Sequence, residues 1–149
     1  QHLEENQIPK LFSEDKKVQL NIIAGNQLEQ SGLIKTQTEV NVFTANADEN
    51  GKLEIEIPEN HQSLIYLLDG EILINNSDVL KKGENQMITF HQDGTTIQFE
   101  AKKQSTILIL SGEPIKEKVT QYGPYVMNTQ TEILEAMRDF QQGKMGYLY

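Results

Sequence analysis

Cysteine is absent from all 149 residues of the chain. Its absence excludes disulfide cross-links, thiolate nucleophiles, iron–sulfur ligation and cysteine-based zinc fingers. The absence of cysteine does not determine the cellular compartment of the protein, which we expect to be the cytoplasm. Long apolar runs are absent too, because the longest, LIYLL and ILIL, fall far short of the ~20 residues that a membrane-spanning helix needs. We therefore expect a soluble chain with no membrane partner.

Positive charge is scarce, with 13 Lys and Arg against 22 Asp and Glu and a net charge of −9. Nucleic acids and anionic membranes attract clustered cations, so nucleic-acid binding by direct charge is disfavoured. The length fits one domain of ordinary size. A signal peptide is not recognisable in the polar opening QHLEENQ, which lacks an initial Met. We interpret this start as that of a processed or truncated chain.

Familiar catalytic motifs are missing as well. The chain contains no Gly-x-Ser-x-Gly elbow, no phosphate loop ending in Gly-Lys-Ser/Thr and no Gly-x-Gly-x-x-Gly fingerprint. Glu54 and Glu56 alternate with apolar residues, so we expect them to face water rather than to form a general-acid pair, which usually requires burial. The sequence predicts neither catalytic nor cofactor-binding residues.

Period-two alternation of apolar and polar residues is what the chain has in quantity. It predicts strands with one face on a core: Val18, Leu20 and Ile22; Val40 and Val42; Leu53, Ile55 and Ile57; Ile97 and Phe99. The run Ile107–Leu110 is apolar throughout and predicts a strand buried on both faces. Turn-forming pairs separate the strands: Asn50-Gly51, Asp69-Gly70, Asn75-Asn76, Lys82-Gly83 and Asp93-Gly94. The pattern indicates an all-β fold, either a double-sheet sandwich or a barrel, and a jelly-roll-like β-barrel fits it best.

One α-helix is predicted at the end of the chain. Thr129-Gln-Thr-Glu132 fits a capping box, and Gly143 fits a C-terminal cap. An apolar stripe lies between them: Ile133, Ala136, Met137 and Phe140. Such a stripe usually packs on its own domain, although it could bind a partner. We expect a linker segment over residues 1–17, the barrel over 18–128, and the helix and tail over 129–149 packed on the barrel as a single domain.

Metal-binding cupin barrels carry two motifs whose histidines and glutamate converge on the ion. Anchoring the first motif on Gly70 places its glutamate position at Ser63. Its histidine positions then fall on Glu56 and Pro58 or on Ile57 and Glu59, and anchoring the second motif on Gly83 places its histidine position at Gln86. None of these is a histidine, and the amide of Gln86 is a much weaker ligand than imidazole. The sequence therefore predicts no metal site.

Two histidines outside the motif register are metal-ligand candidates. His61 and His91 each lie beside a predicted turn, a setting typical of exposed surface histidines. Should they share a metal, Glu59 or Asp93 would supply a third ligand.

A tyrosine-rich bend precedes the predicted helix. Gly-Pro fixes a tight turn, and tyrosines favour half-buried junctions and interfaces. The segment is either a buckle between barrel and helix or a rim that docks another domain or a small ligand. The docking candidates are Tyr122, Gly123, Pro124, Tyr125, Met127 and Asn128.

The last forty or so residues resemble the end of pirin proteins, in which a Gly-Glu-Pro segment leads to a Gly-Pro-Phe-Val-Met-Asn-Thr signature and a closing helix. The matching segments are Ser111-Gly-Glu-Pro-Ile115, Val119-Thr-Gln-Tyr-Gly-Pro-Tyr-Val-Met-Asn-Thr129, and Glu132-Ile133, Ala136, Asp139-Phe140 and Gly143. Ile22–Gly25, Ile65–Gly70 and Asp93-Gly94 stand where the same C-terminal half would have them. The resemblance covers residues 8–146 or so.

The resemblance implies the C-terminal cupin domain of a bicupin whose iron is held by histidines and a glutamate in an N-terminal domain. None of those ligands has a matching position here. The signature residues that carry over, with a structural or docking role, are Pro114, Gly123, Pro124, Met127, Asn128 and Thr129. Tyr125 stands where the family more often has Phe.

We therefore expect a metal-free domain, without a cofactor of its own, that docks beside an N-terminal metal-binding cupin domain of the same protein. Expressed alone, it would form a homo-oligomer. Two alternatives stay open. The chain could be part of an iron-dependent, quercetin 2,3-dioxygenase-like pirin oxygenase, or it could be a module that binds a small ligand or a protein.

Overall fold

Fourteen β-strands and one α-helix form within residues 4–146, the part of the chain that the computed structural model describes. The strands are β1 (Lys10–Phe12), β2 (Val18–Ala24), β3 (Asn26–Gln27), β4 (Gln30–Ser31), β5 (Val40–Ala47), β6 (Lys52–Glu56), β7 (Gln62–Asp69), β8 (Glu71–Ile74), β9 (Asp78–Lys81), β10 (Met87–Thr89), β11 (Thr96–Ala101), β12 (Ser105–Gly112), β13 (Thr120–Tyr122) and β14 (Tyr125–Met127). Helix α1 spans Gln130–Gln141, and a 3-10 turn spans Glu5–Gln7.

Two antiparallel sheets make up most of the fold. One has six strands in the order β1-β2-β5-β12-β7-β10, and the other has four in the order β6-β11-β8-β9. The pairs β3–β4 and β13–β14 are separate two-stranded ribbons. The predicted all-β, double-sheet architecture with one C-terminal helix is confirmed.

The core lies between the inner faces of the two sheets. The larger sheet contributes Val18, Leu20, Ile22, Phe43, Ala45, Ala47, Ile65, Leu67, Ile107 and Ile109, and the smaller one Ile55, Ile72, Ile74, Leu80, Ile97, Phe99 and Ala101. Because side chains alternate between the faces of a strand, each strand supplies every second residue. The inward faces predicted for β2, β6 and β11 are the buried ones, and Glu54 and Glu56 are exposed as expected.

Strand β5 has the opposite phase to the predicted one. Val40 and Val42 are only half-buried, whereas Phe43, Ala45 and Ala47 face the core. Apolar residues occur in both phases of this strand, and pairing decides between them. Phe43 pairs with Ile22 of β2, and this register aligns the phase of Phe43 with the buried face of β2.

Strand β12 is less buried than predicted. Ile107 and Ile109 are fully buried, but Leu108 and Leu110 are half-buried. The strand lies between β5 and β7 in the larger sheet. Its inner side chains face the core, whereas its outer side chains are covered only by the side chains of neighbouring strands.

Each predicted turn pair joins two strands. Asn50, Asn75 and Asn76 have positive φ, as do Gly70 and Gly83. These are the conformations that Asn and Gly adopt most readily, which explains why the pairs mark the turns.

The chain divides into two compact units, with the boundary between Pro114 and Ile115. The first contains both sheets. Strand β1 lies within the predicted linker of residues 1–17 and pairs with β2. In the second unit, helix α1 packs on the β13–β14 ribbon. Packing of the helix on the barrel stays a prediction.

The capping box of α1 is confirmed. The Thr129 hydroxyl accepts from the Glu132 amide at 3.3 Å, and the Glu132 carboxylate accepts from the Thr129 amide at 2.8 Å. Gly143, at φ +70°, follows the helix and donates its N–H to the Phe140 carbonyl. No helix in residues 4–146 is long and apolar enough to cross a membrane.

The predicted apolar stripe of α1 ends earlier than expected. Ile133 and Ala136 are buried and Met137 is half-buried, but Phe140 is 64% exposed. The helix ends at Gln141, so Phe140 lies in its last turn.

Candidate functional site

A cavity of about 330 Å³ opens in the first unit, beside the start of β7. We call it the His61 cavity. Its inner wall contains the buried residues Ile57, His61 and Ile97, and its outer wall contains exposed His91 and Asp93. Residues from β7, β9, β10 and β11 and from the loops beside them thus meet around one space.

The cavity is lined by both apolar and polar side chains, and the polar ones are in the majority. Its apolar residues are Ile57, Ile88, Phe90 and Ile97. Its hydroxyl groups belong to Ser63, Thr89 and Thr96, and its carboxylates to Asp78 and Asp93.

His61 is buried, contrary to the exposed position expected for it. Only 4% of its surface is accessible. Its backbone N–H closes a turn by donating to the Pro58 carbonyl at 2.9 Å, and the chain then enters β7. His61 has the same period-two phase as Ile65 and Leu67, which are buried. Extending that phase back through the turn would have predicted its burial from the sequence.

A chain of hydrogen bonds connects His61 Nδ1 to Ser111, Asn41 and the Asn26 backbone. The Asn26 backbone N–H donates to Asn41 Oδ1 at 3.1 Å, Asn41 Nδ2 donates to Ser111 Oγ at 3.0 Å, and Ser111 Oγ lies 3.1 Å from His61 Nδ1. We call the three side chains the Asn41–Ser111–His61 relay. Gly25, at φ +83°, leaves room for it because a Cβ there would collide with Asn41 Oδ1.

The relay fixes the orientation of the Asn41 amide. A backbone N–H can only donate, so Asn41 must present its oxygen to Asn26 and its NH₂ to Ser111. Ser111 Oγ thus accepts the bond from Asn41, and it is also the hydrogen-bond partner of His61 Nδ1, whose role as donor or acceptor depends on the ring tautomer. His61 Nε2 is buried and has no hydrogen-bond partner in residues 4–146.

The residues at the metal-motif positions do not fit a transition metal. Ile57 and Ser63 line the His61 cavity at a histidine and the glutamate position of the motif, and neither is imidazole or carboxylate. Gln86, at the second motif's position, donates its amide to the Leu67 carbonyl at 3.0 Å.

The structure brings together some of the candidate ligands and not others. His61, His91 and Asp93 line the same cavity, which their sequence spacing did not reveal, whereas Glu59 is not part of its wall. Among residues 4–146, no three His, Cys, Asp or Glu side chains are grouped so as to hold a metal ion.

The tyrosine-rich bend forms the β13–β14 hairpin of the second unit. Tyr122 pairs with Tyr125 across the Gly-Pro turn, and Tyr122 is 60% exposed while Tyr125 is half-buried. Asn128 is held within the unit, because its Nδ2 donates to the Glu117 carboxylate at 2.8 Å and to the Lys118 carbonyl at 3.0 Å. Among the docking candidates, Asn128 therefore has a local structural role.

Exposed apolar side chains are concentrated in the second unit. Half of the large apolar side chains that are exposed in residues 4–146 belong to it, although it is much the shorter unit. They are Ile115, Val119, Tyr122, Val126, Leu134, Phe140 and Met145. Apolar surface of this kind commonly marks an interaction site.

Comparison with known proteins identifies relatives over the whole chain. The family described as Pirin C-terminal cupin domain matches residues 42–146. Rat pirin is 34% identical over 99% of this chain and 50% of its own length. A Pseudomonas aeruginosa protein described as a putative quercetin 2,3-dioxygenase is 26% identical over 95% of this chain and 50% of its own.

A solved structure agrees with these relatives. The crystal structure of quercetin 2,3-dioxygenase from Acinetobacter baumannii superposes with a TM-score of 0.86 and 30% identity, covering 100% of this chain and 51% of that one. The chain thus spans about half the length of the curated relatives it matches. It belongs to the pirin family, to whose C-terminal cupin domain it corresponds.

Proposed function

We propose that this chain is a metal-free, non-catalytic docking domain that packs beside an N-terminal, metal-binding cupin domain of the same protein. The exposed apolar side chains of the second unit are the observation that supports it most directly. In this proposal, iron is held by the N-terminal domain, and the pair works in the cytoplasm.

The relatives' lengths support a second domain as the partner. Rat pirin and the Pseudomonas protein are each about twice as long as the segment matched here. The match is to the C-terminal domain of the family, so the partner would be the segment that precedes it.

The chemistry of the second unit supports it as the contact surface. Tyr122, Val126 and Phe140 expose about 60% of their surface each. Aromatic side chains and Met are enriched at protein interfaces, where a few of them carry most of the binding energy.

The donor set of the first unit supports a non-catalytic role. Ile57 and Ser63 occupy motif positions where an oxygenase centre would need ligands, and Gln86 is engaged with backbone. An oxygenase centre within this chain is therefore the less favoured alternative.

A binding experiment tests the proposal. The N-terminal domain that the proposal places ahead of Gln1 is titrated with the 149-residue chain by calorimetry, using Tyr122→Ser, Val126→Ser and Phe140→Ser as single variants. We expect at least one to weaken binding by about tenfold or more, as for an interface hot spot. Melting temperatures should change little, because all three side chains are exposed.

The matched control is Val79→Ser, which removes an exposed apolar side chain of β9 in the first unit. It should leave the affinity within about twofold of the parent chain. A gene with no cupin domain ahead of Gln1 would contradict the proposal, as would equal affinities for all four variants. Self-association of the chain, measured by analytical ultracentrifugation and lost in the same three variants, would identify a second copy as the partner instead.

A further inference from the structure

Strand β6 lies at one edge of the four-stranded sheet and pairs, among the described residues, with β11 alone. The Ile57 N–H, directly after the strand, donates to the Thr95 carbonyl at 2.8 Å, so the odd-numbered residues bond to β11. Backbone groups of alternate residues point to opposite sides of a strand. The N–H and C=O groups of Lys52, Glu54 and Glu56 therefore point away from β11 and form the free edge of the sheet.

One of these three residues is already paired. The side-chain amide of Gln27, in the orientation that satisfies both of its groups, accepts from the Glu56 N–H at 3.1 Å and donates to the Glu56 carbonyl at 3.2 Å. The backbone groups of Lys52 and Glu54 have no such partner in residues 4–146. We call these two residues, with Leu53 between them, the open edge of β6. Unpaired edges of this kind can accept a strand from another chain.

A groove of about 700 Å³ gives access to the open edge, and Lys52, Leu53 and Glu54 all line it. Phe12 and Leu28 line it too, and their side chains are 58% and 69% exposed. A chain that enters the groove therefore meets apolar side chains as well as unpaired backbone groups, and covering apolar surface favours association.

The side chains of the open edge indicate which partner fits. Lys52 and Glu54 have opposite charges and, being two residues apart, lie on the same face of the sheet. When a second β6 runs antiparallel with Leu53 opposite Leu53, each Lys52 lies opposite Glu54 of the other copy. The facing residues then exchange four backbone hydrogen bonds and form two ion pairs, and the half-buried Leu53 side chains meet at the centre.

The net charge of −9 opposes self-association. At physiological salt, however, charges more than ~8 Å apart are largely screened, whereas directly facing side chains lie closer than this. Lys52 Nζ already lies 3.3 Å from the Glu100 carboxylate of its own chain. Glu54 of a second copy would place a carboxylate on the other side of Lys52 and continue the alternation of charge.

We propose that the open edge of β6 pairs with the same edge of a second copy of this chain, in the antiparallel register that places Leu53 opposite Leu53 and Lys52 opposite Glu54. Such a two-fold interface is self-complementary, because the same patch serves both copies. It is separate from the proposed docking surface, since β6 and the groove belong to the first unit alone. The pairing therefore does not depend on the proposed function.

Hydrogen exchange tests the backbone pairing residue by residue. The amides of the 149-residue chain are followed by NMR at about 20 μM and about 1 mM, for a dimer with a dissociation constant on the order of 100 μM. The Lys52 and Glu54 amides should exchange at least about threefold more slowly at the higher concentration. The amides of Leu53 and Ile55 face β11 and are the internal control, slow at both concentrations. Analytical ultracentrifugation should show the dimer forming over the same range.

Charge reversal tests the register. Lys52→Glu and Glu54→Lys each place like charges opposite one another, so either variant alone should dimerise at least about tenfold more weakly. An equimolar mixture of the two should regain the parent affinity, because every facing pair then joins a glutamate to a lysine. Lys103→Glu, which breaks an exposed ion pair with Glu71 outside the groove, should dimerise like the parent, and so should Tyr122→Ser.

Three results would overturn the proposal: a monomer at about 1 mM, Lys52 and Glu54 amides that exchange equally fast at both concentrations, or a mixture that dimerises no better than its components. Slow exchange of both amides in a monomer would also overturn it, because a segment of the same chain would then cover the edge. If a charge variant does not fold, exchange and sedimentation of the parent chain still decide.

Discussion

At the scale of single residues, the most consequential side chain is Ser111. Its hydroxyl accepts from Asn41 Nδ2 and is hydrogen-bonded to His61 Nδ1, so one atom joins strands β5 and β12 to the turn before β7. All three side chains are buried. Removing the middle of a buried polar chain leaves both ends unpaired, and the cost then exceeds the value of one ordinary hydrogen bond.

Ser111→Ala should destabilise the fold by about 1–3 kcal/mol, because Asn41 Nδ2 and His61 Nδ1 lose their partner in a buried setting. Urea denaturation followed by circular dichroism measures the change. Ser31→Ala, at an exposed site in β4, is the control and should stay within about 0.5 kcal/mol of the parent. A Ser111→Ala protein as stable as this control would mean that the relay contributes nothing to folding.

At the scale of elements, turns and caps are set by local chemistry. Gly70 joins β7 to β8 at φ +93°, and a Cβ there would meet the Gln104 carbonyl and the Ser105 side chain. Gly83 has a similar φ of +83°, but a methyl group added there would find no atom within 4 Å. Comparing substitutions at the two glycines therefore separates the cost of backbone strain from the cost of a steric clash.

Gly83→Ala should cost about 1 kcal/mol, the usual strain of an L-residue at positive φ. Gly70→Ala should cost a further 1–3 kcal/mol or so, because the backbone at Gln104 and Ser105 must also move. Thermal and urea unfolding of the pair provide the comparison. Equal losses of stability in Gly83→Ala and Gly70→Ala would show that the backbone around Gly70 moves without further cost.

The capping box of α1 is a second element whose contribution can be measured. Thr129→Ala should weaken α1 by about 1 kcal/mol, since the Glu132 amide loses its acceptor. Hydrogen exchange of the first-turn amides of α1 should become faster. Thr131→Ala, which lies within the first turn and takes no part in the cap, should leave exchange unchanged. Similar rates in both variants would contradict a stabilising cap.

At the scale of the whole molecule, most charged side chains are exposed, and the pKa shifts among them make the stability of the fold depend on pH. The pKa of Asp69 is lowered by the hydrogen bond from Lys82, 2.9 Å away, and by the Gly70 N–H. The pKa of Glu100 is likewise lowered by Lys102 and Lys52, and that of Asp15 by the Ser13 hydroxyl and the Lys17 backbone. A carboxylate with a depressed folded pKa stabilises the fold above its ordinary pKa, and this contribution is lost as the pH falls through the folded value.

Acid should therefore destabilise the protein progressively below pH 4.5, the ordinary pKa of a Glu, and further below 3.8, that of an Asp. In Lys82→Gln, the Asp69 pKa should rise towards 3.8, measured by NMR titration of the side chain, because its main hydrogen-bond donor is gone. Lys35→Gln, at an exposed site, is the control. An Asp69 pKa that is the same in both variants would assign the depression to the Gly70 N–H alone.

The agreement between pattern and structure differs from one element to another. The turn at Asp69-Gly70 and the box at Thr129 and Glu132 were predictable because each depends on residues close in sequence. The phase of β5 was not, because apolar residues occupy both of its phases and pairing with β2 selects Phe43. The exposure of Phe140 likewise depends on where the packing of α1 ends.

The sequence by itself determined the order of strands and turns, the capped helix and membership of the pirin family, since all of these depend on patterns of residues that lie close together in the chain. Only the tertiary structure decided the His61 cavity. Ser111 lies 70 residues from Asn41 and 50 residues from His61 along the chain. The three meet because β12 pairs with β5 on one side and with β7 on the other, and local patterns do not specify which strands become neighbours.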